Sequence, residues 1–375
     1  MKTVGIICEY NPFHNGHRRQ IKRIREHFGE DCRVVCLMSG NFVQRGAPAI
    51  VDKSIRAHAA VLSGADLVLE LPVSVCLSSA EGFAQGGVRI LSQFCDTLCF
   101  GTESMTAEAL YQTASALLSS DFSALLKEKI TVGCSFPAAR QAALGRMGIQ
   151  ENLSGPNNNL GVEYTKAILA LGSSMDIFPI FRQGDYHDQE LAPQAPSATA
   201  VRKALLSGGN WEKAIPAPTV PLLKNAALHT LSAGERAIVA KLRMMEEGEF
   251  ELLPYGSEGL WRKLMKAVRS NRDLPSIIDA TKSKRYTRTR IDRMILCAFL
   301  GLTGADLGVL PPKIRVLAFT DRGRTVLRGH DCFLNAGEAV EEAEKRIGSL
   351  YGLFCLNGIE PPDVEEKRRI IYIEA

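Results

Sequence analysis

No apolar run in this chain approaches the roughly 20 residues that a membrane helix needs. Nor is there a signal-peptide pattern at the start, where Met1 and Lys2 run straight into β-branched residues. The ten cysteines are scattered, and several (Cys8, Cys36, Cys99) lie inside apolar runs, as buried thiols of a reducing compartment do. These absences argue against a membrane span and a disulfide scaffold, and the expected location is the cytoplasm. No internal repeat or low-complexity segment stands out, which argues against a solenoid. Nothing in the chain demands an obligate protein partner. Composition is that of a globular protein, 46% hydrophobic and 23% charged, and 375 residues suffice for two domains with room for a small third.

What is present begins at Lys2–Gln20, KTVGIICEYNPFHNGHRRQ. Val4, Ile6, Ile7 and Cys8 read as a buried strand. Asn11 and Pro12 make a turn, His14-Asn15-Gly16-His17 follows, and a basic helical pattern starts near Arg18. A strand, a tight turn and a helix N-terminus form a ready phosphate site, because free backbone N–H groups point at the ligand. Two imidazoles three residues apart add donors that can follow charge developing on a phosphate. Gly16 leaves out a side chain where a base or phosphate must approach the backbone. The same histidines can be plain turn residues or half of a zinc site. Zinc normally asks for further ligands, however, and the nearest cysteines, Cys8 and Cys32, lack paired C-x-x-C spacing.

As far as about residue 205, apolar β-rich runs alternate with helical patterns, the order of an open parallel α/β sheet. Strands are expected at Val34–Met38, Ala65–Pro72, Thr97–Glu103 and Ile177–Phe181, with a helix at Lys53–Leu62 between the first two. Ligands in such sheets bind beyond the carboxyl ends of the strands. Those ends (Glu9–His17, Ser39–Arg45, Pro72, Gly101–Glu103) are polar or rich in glycine.

His-x-Gly-His resembles the signature of the adenylyl-transferring superfamily of nucleotidyltransferases and class I aminoacyl-tRNA synthetases. Further strings resemble one family within it, the tRNA(Met) cytidine acetate ligases. They are SGNFVQRGAPAIVDKSIRA (39–57), GADLVLELP (64–72), FGTES (100–104), PNNNLGVEY (156–164), FRQGDYHD (181–188) and SATAVRKAL (197–205). The resemblance covers the first 205 residues in order. It implies a Rossmann-like nucleotidyltransferase domain that activates acetate with ATP to acetyl-adenylate. The acetyl group then passes to the exocyclic amine of the wobble cytidine of elongator tRNA(Met), giving N4-acetylcytidine.

By this resemblance the ATP site comprises Ile7, Cys8, Glu9, Tyr10, Asn11, Pro12, Phe13, His14, Asn15, Gly16, His17 and Gln20. Gly101, Asn157, Arg182, Ser197 and Thr199 complete it, and Mg²⁺ is expected to be held through the ATP phosphates. Each of the later residues also has a plainer reading. Asn157 can cap a helix, Gly101 can be a turn glycine, and Arg182 can form a surface ion pair. Ser197–Arg202 resembles the superfamily's second ATP motif, a helix N-terminus bearing hydroxyls and an arginine. Ala198 departs from the paired serines of relatives, and Ser197 can be an ordinary N-cap.

The first step needs little acid–base machinery, because acetate is already ionised at neutral pH. Alignment and charge stabilisation carry it, and His14, His17, Lys53 and Arg202 are the expected catalytic residues, with Arg182 beside them. Lys53 and Arg56 can equally form a solvated helix face, and Gln44 and Arg45 can face acetate or cytidine. No residue identifies itself as a base for the incoming amine.

Net charge is only +4, but Gly256–Met294 carries eleven Lys and Arg against four acids, a local +7 that leaves −3 for the rest. Concentrated positive charge suggests a polyanion larger than ATP. Prolines at 216, 218 and 221 mark a linker zone, and from Ala226 to Leu300 the apolar spacing is helical. Lys282, Lys284, Arg285, Tyr286, Arg288, Arg290 and Arg293 are the expected tRNA contacts, at the start of a helix, with Tyr286 suited to stacking on an unpaired base. A solvated helix face is the plain alternative.

After Pro311-Pro312, a strand at Ile314–Phe319, an acidic helix at Ala336–Leu350 and a strand at Ile370–Ile373 read as a small α/β appendage. The expected organisation is therefore a catalytic region 1–205, a helical basic region 206–310 and an appendage 311–375. A small-molecule adenylyltransferase of cofactor metabolism is the alternative, which the basic helical half disfavours. A non-catalytic RNA-binding protein on a decayed nucleotide fold is the third reading, disfavoured by the joint presence of His14, His17, Asn157, Arg182 and Arg202.

Overall fold

The computed structural model describes residues 1–131, 136–151, 153, 155–181, 196–283, 286–334, 338 and 341–374. The strands are, in chain order, β1 (Thr3–Cys8), β2 (Arg33–Ser39), β3 (Phe42–Val43), β4 (Ala47–Pro48) and β5 (Leu67–Leu71). They continue with β6 (Thr97–Thr102), β7 (Asp176–Phe181), β8 (Ile314–Thr320), β9 (Phe333–Leu334) and β10 (Ile371–Ile373). β1, β2 and β5 are largely apolar and buried almost throughout, as strands covered by helices on both faces are, with Glu70 of β5 the buried charged exception.

The main sheet runs in the order β10-β8-β5-β2-β1-β6-β7. From β5 to β7 every pairing is parallel, with Ile6 opposite Cys36 and Cys36 opposite Val68. The chain moves outward from β1 to β2 and β5, then returns to place β6 on the other side of β1. This reversal makes the paired strands β1 and β6 the topological switch point, beyond whose carboxyl ends ligands of such sheets bind. The expected strands all form. The antiparallel hairpin β3–β4, pairing Phe42 with Pro48 and Val43 with Ala47, was not anticipated, since two-residue strands leave no periodic pattern.

The C-terminal segment is no appendage. β8 pairs antiparallel with β5 and β10 lies beyond it, so residues from both ends of the chain build one sheet. An α/β pattern in sequence reports elements, not which sheet edge they join. Between the sheet segments lies an all-helical region whose helices include Glu235–Met244, Leu260–Ser270, Leu274–Thr281 and Arg288–Leu300. Their apolar faces form one core around Leu264, Ile277, Ile291 and Met294. Phe42 and Leu77, from the sheet half, are buried in that same core.

Two helix boundaries differ from expectation. The basic string does not open a helix at Lys282: that residue is extended and ends the Leu274–Thr281 helix, and the next helix starts at Arg288 behind Thr287. The acidic helix spans Glu342–Tyr351. Among the described residues no helix is long and apolar enough to cross a membrane.

Candidate active site

The turn after β1 is rigid for reasons written in its side chains. Tyr10 and Phe13 are buried, with ring centroids 4.7 Å apart, and Tyr10 holds a left-handed backbone (φ 47°). The turn delivers His14 to the N-cap of the Asn15–Phe28 helix. There the imidazoles take the places usually held by Ser and Glu in a capping box. Gly16 N–H donates to His14 Nδ1 at 3.1 Å, and His14 N–H donates to His17 Nδ1 at 3.2 Å. The two rings stack, centroids 3.6 Å apart and 18° from parallel. Because each Nδ1 accepts from the backbone, each neutral ring carries its proton on Nε2. The site thus has two imidazole donors of fixed tautomer at a helix N-terminus, where the dipole favours an anion. Gly16 is required by the same geometry, since a Cβ there would lie 2.9 Å from His14 Cε1.

The Ala198–Ser207 helix brings its N-terminus to this turn. Arg202 Nη1 donates to Asn11 O at 2.7 Å, and Nη2 donates to Thr199 Oγ1 at 3.1 Å. Ser197 accepts from Ala200 N–H at 3.0 Å, so the plain N-cap reading of Ser197 holds. Asn11 Oδ1 accepts from Ile50 N–H (2.8 Å), and Asn15 Nδ2 donates to Lys213 O (2.9 Å). Gln20 Nε2 reaches Cys99 Sγ on β6 at 3.5 Å. These contacts tie the start of the Ala198–Ser207 helix to the β1 turn through Arg202 and Asn11, and tie Gln20 of the His14-capped helix to β6, which Gly101 and Thr102 end. Ile7, Tyr10 and Phe13 bury their side chains, so what they can offer a ligand is backbone. Burial pushes the Cys8 thiol well up, which keeps it protonated.

Asn157 stands at the first turn of the Pro156–Ala170 helix, whose N-cap, Gly155, has no side chain to cap with. Glu103, from the loop after β6, caps it instead. One carboxylate oxygen accepts from Asn157 N (3.0 Å) and Nδ2 (2.6 Å), the other from Asn158 N (2.6 Å). Asn157 is thus not the cap that its plainer reading had it be: it lies inside the first turn and donates to the cap that Glu103 supplies. A cap drawn from 54 positions away could not be read from the sequence.

Lys53 is where the structure departs most from expectation. It is buried, its ammonium 2.6 Å and 2.8 Å from the two oxygens of Glu70 and 3.2 Å from Glu365. Arg315 and Arg368 also pair with Glu365, and Arg368 spans to Asp52 at 2.8 Å. Against the upward pull of burial, Lys53, Arg368 and Arg315 hold the Glu365 carboxyl down at about 2. Burial, then the charges of Glu70 and Glu365, push Glu344 up to about 7. The space these groups enclose, about 10 Å³, has room for a single water. Lys53 is thus a fixed ion-pair partner rather than a phosphate-facing cation. Neither is it part of a solvated face, and nor is Arg56. The buried Arg56 guanidinium donates to the carbonyls of Val51 (3.0 Å), Glu9 (2.6 Å), Ser39 (3.0 Å) and Gly40, locking the ends of β1 and β2 together.

The expected tRNA residues separate in the same way. Tyr286 is buried and donates its hydroxyl to Glu258 O, which removes it as a stacking platform. Arg290 donates to Tyr255 O at 2.8 Å and Arg293 lies over the Tyr255 ring, so both join the helices together. Lys282 and Arg288 are exposed, Arg288 paired with Asp292 at 2.7 Å. Exposed Arg262, Lys266 and Arg269 line the outer face of the Leu260–Ser270 helix and were not singled out from the sequence. Their i, i+4, i+7 spacing, opposite Leu260, Leu264 and Ala267, is the signal that finds them. Arg182, Lys284 and Arg285 lie outside the described residues. Among the described residues, side chains grouped closely enough to hold a metal are His229, Cys355 and Glu360, with neither His14 nor His17 among them.

A sequence profile described as HIGH Nucleotidyl Transferase matches residues 1–336. Two relatives called tRNA(Met) cytidine acetate ligase are similar along most of their length. The one from Acetivibrio thermocellus is 35% identical over 87% of this chain and 85% of its own. The one from Clostridium novyi is 36% identical over 88% and 87%. The chain belongs to this family. Among solved structures, ligand-free Thermotoga maritima TmcAL superposes with a TM-score of 0.89 at 28% identity, both chains covered in full. The same protein bound with alpha-thio ATP gives 0.86 at 27% identity. Of the family strings read from the sequence, 64–72 contains β5, 100–104 ends β6, and 156–164 and 197–205 open helices, while 182–188 lie outside the described residues.

Proposed function

We propose that the protein is an ATP-dependent acetate–tRNA ligase acting in two steps beyond the carboxyl ends of β1 and β6. An acetate oxygen attacks the α-phosphorus of ATP, forming the acyl–phosphate bond and releasing pyrophosphate. The exocyclic amine of the wobble cytidine of elongator tRNA(Met) then attacks the acetyl carbonyl. AMP departs, the amine loses a proton, and N4-acetylcytidine results.

The observation that carries this reading is the pair of stacked, tautomer-fixed imidazoles at one helix N-terminus, faced by Arg202 and Thr199 from a second. Preorganised N–H and guanidinium donors of this kind stabilise charge building on phosphate oxygens without reorganising during the reaction. His14, His17 and Arg202 carry the catalysis, while Lys53 supports the fold beside them. Asn11, Asn15, Gln20, Gly101, Asn157, Ser197 and Thr199 line the nucleotide site. Imidazole, hydroxyl and guanidinium suit phosphate oxygens, and Mg²⁺ enters coordinated by the phosphates themselves. The helical region, with exposed Lys282, Arg288, Arg262, Lys266 and Arg269, takes the RNA.

ATP–pyrophosphate exchange by purified protein, with and without acetate and without RNA, tests the reading. Acetate-dependent exchange is expected. Exchange with no small carboxylate, and adenylyl transfer to a cofactor precursor instead, would overturn it in favour of the small-molecule adenylyltransferase.

A further inference from the structure

The β3–β4 hairpin (residues 42–48) is anchored at once to the nucleotide turn and to the basic helix, and its tip is Gln44-Arg45-Gly46. On one side, Gln44 N–H donates to Glu9 Oε1 at 2.9 Å, and Glu9 directly follows β1. On the other, Gly46 lies flat on the Arg288–Leu300 helix. It has a left-handed backbone (φ 76°), and a Cβ there would stand 2.5 Å from Arg293 N and from the Asp292 carbonyl carbon. Both the torsion and the close approach exclude any other residue in this seat, since backbone cannot yield as a flexible side chain can.

Neighbouring hydrogen bonds make the junction stiff. Gln44 Nε2 reaches Ser78 O at 3.4 Å, and Tyr255, from the helical region, donates its hydroxyl to the adjacent Leu77 O at 2.6 Å. Phe42, at the base of the hairpin, is buried in the helical core. The hairpin therefore cannot shift relative to either the β1 turn or the basic helix. Its one exposed residue, Arg45, is carried between the two.

We infer that this hairpin positions the acceptor nucleotide: Gly46 seats it on the helical region, and Arg45 holds the backbone phosphate beside the unpaired cytidine. That would bring the exocyclic amine to the acyl-adenylate. Guanidinium–phosphate pairing fixes orientation, and a rigid mount converts it into alignment of amine and carbonyl. This rests on the two-step ligase reading and assigns the second step a mount that the first does not use. Gly46 and Arg45 are positioning residues.

The test separates the half-reactions in the full-length protein. For Gly46→Ala, acetate-dependent pyrophosphate exchange is expected to stay within about twofold of wild type, with an unchanged KM for ATP. Acetyl transfer to tRNA should fall at least about tenfold, with a raised KM for tRNA. Arg45→Ala, which leaves the backbone alone, should show the same split more weakly, and Arg45→Lys should recover part of the loss. Unchanged transfer in Arg45→Ala overturns the proposal, as does equal loss of exchange and transfer in that variant, whatever Gly46→Ala does. Absence of acetate-dependent exchange in the wild type would instead remove the ligase reading, and this proposal with it.

Discussion

The chain has two cation-rich stretches that look alike in sequence and behave in opposite ways. Lys53 and Arg56 open a helix in the sheet half, and both are buried, Lys53 against carboxylates and Arg56 against carbonyls. In the helical half, the Leu260–Ser270 helix keeps Arg262, Lys266 and Arg269 in solvent. The string from 282 to 293 divides between the two behaviours. The difference lies in what faces each cation. A charge is taken from water only when hydrogen-bond acceptors are already arranged to replace the water, and such acceptors come from distant strand ends. A cation facing solvent keeps its charge available for a polyanion. Cation density in a sequence thus marks where charge is, and packing decides whether it is structure or surface.

The contrast can be broken at its strongest point first. Arg56→Met strands the carbonyls of Glu9, Ser39 and Gly40, and the expected loss is about 3–5 kcal/mol, read by denaturant unfolding. An unchanged midpoint would mean that Arg56 is not a clamp. His17→Ala should leave the unfolding midpoint near wild type and lower acetate-dependent exchange about 10²–10³-fold, the usual cost of one preorganised donor. Retained exchange in that variant would remove the imidazole pair from the chemistry.

The buried cluster also predicts a pH dependence. Glu344 binds its proton more tightly folded, at about 7 against 4.5 when free, so its contribution is fullest below pH 4.5 and is lost as pH rises to about 7. Glu365, held at about 2, contributes oppositely, with stability lost as pH falls from 4.5 towards 2. Glu344→Gln should therefore raise stability at pH 8 by roughly 1 kcal/mol and flatten the slope between pH 5 and 7. Thermal melts across that range decide it, and a Glu344→Gln melt that tracks wild type at every pH would refute the assignment.

The smallest effect on stability is expected on the surface. Changing Arg262, Lys266 and Arg269 together to Ala should alter stability by no more than about 0.5 kcal/mol. It should weaken tRNA binding and reduce the slope of log affinity against log salt by roughly 0.7–0.9 for each phosphate no longer neutralised. Arg290→Ala is the counterpart, expected to cost stability through Tyr255. If the triple variant binds tRNA with the wild-type salt slope, the exposed row is not the RNA face.

Much of the fold was legible because its elements are local. Strands β1, β2, β5 and β6 are short, largely apolar runs, and the Lys53–Leu62 helix carries its own cap in Asp52. His14 and His17 were legible for the same reason, since three residues of one helix turn hold their geometry. Tyr286 was misjudged in role because its partner, Glu258, lies far off in the chain, and the Glu103 carboxylate that holds Asn157 went unread for the same reason. Glu9 went unread as a hairpin anchor, since its partner, the Gln44 N–H, lies 35 positions on.

The sequence alone determined the nucleotide turn, the order of strands and helices, and the concentration of charge in the helical half, because each arises from neighbours within a few residues. Tertiary structure decided the rest. It chose which cations are buried, turned the C-terminal segment into three more strands of the same sheet, and pressed Gly46 against the basic helix. Those outcomes depend on groups far apart in the chain meeting with matched hydrogen bonds and shape. A one-dimensional pattern does not encode that matching.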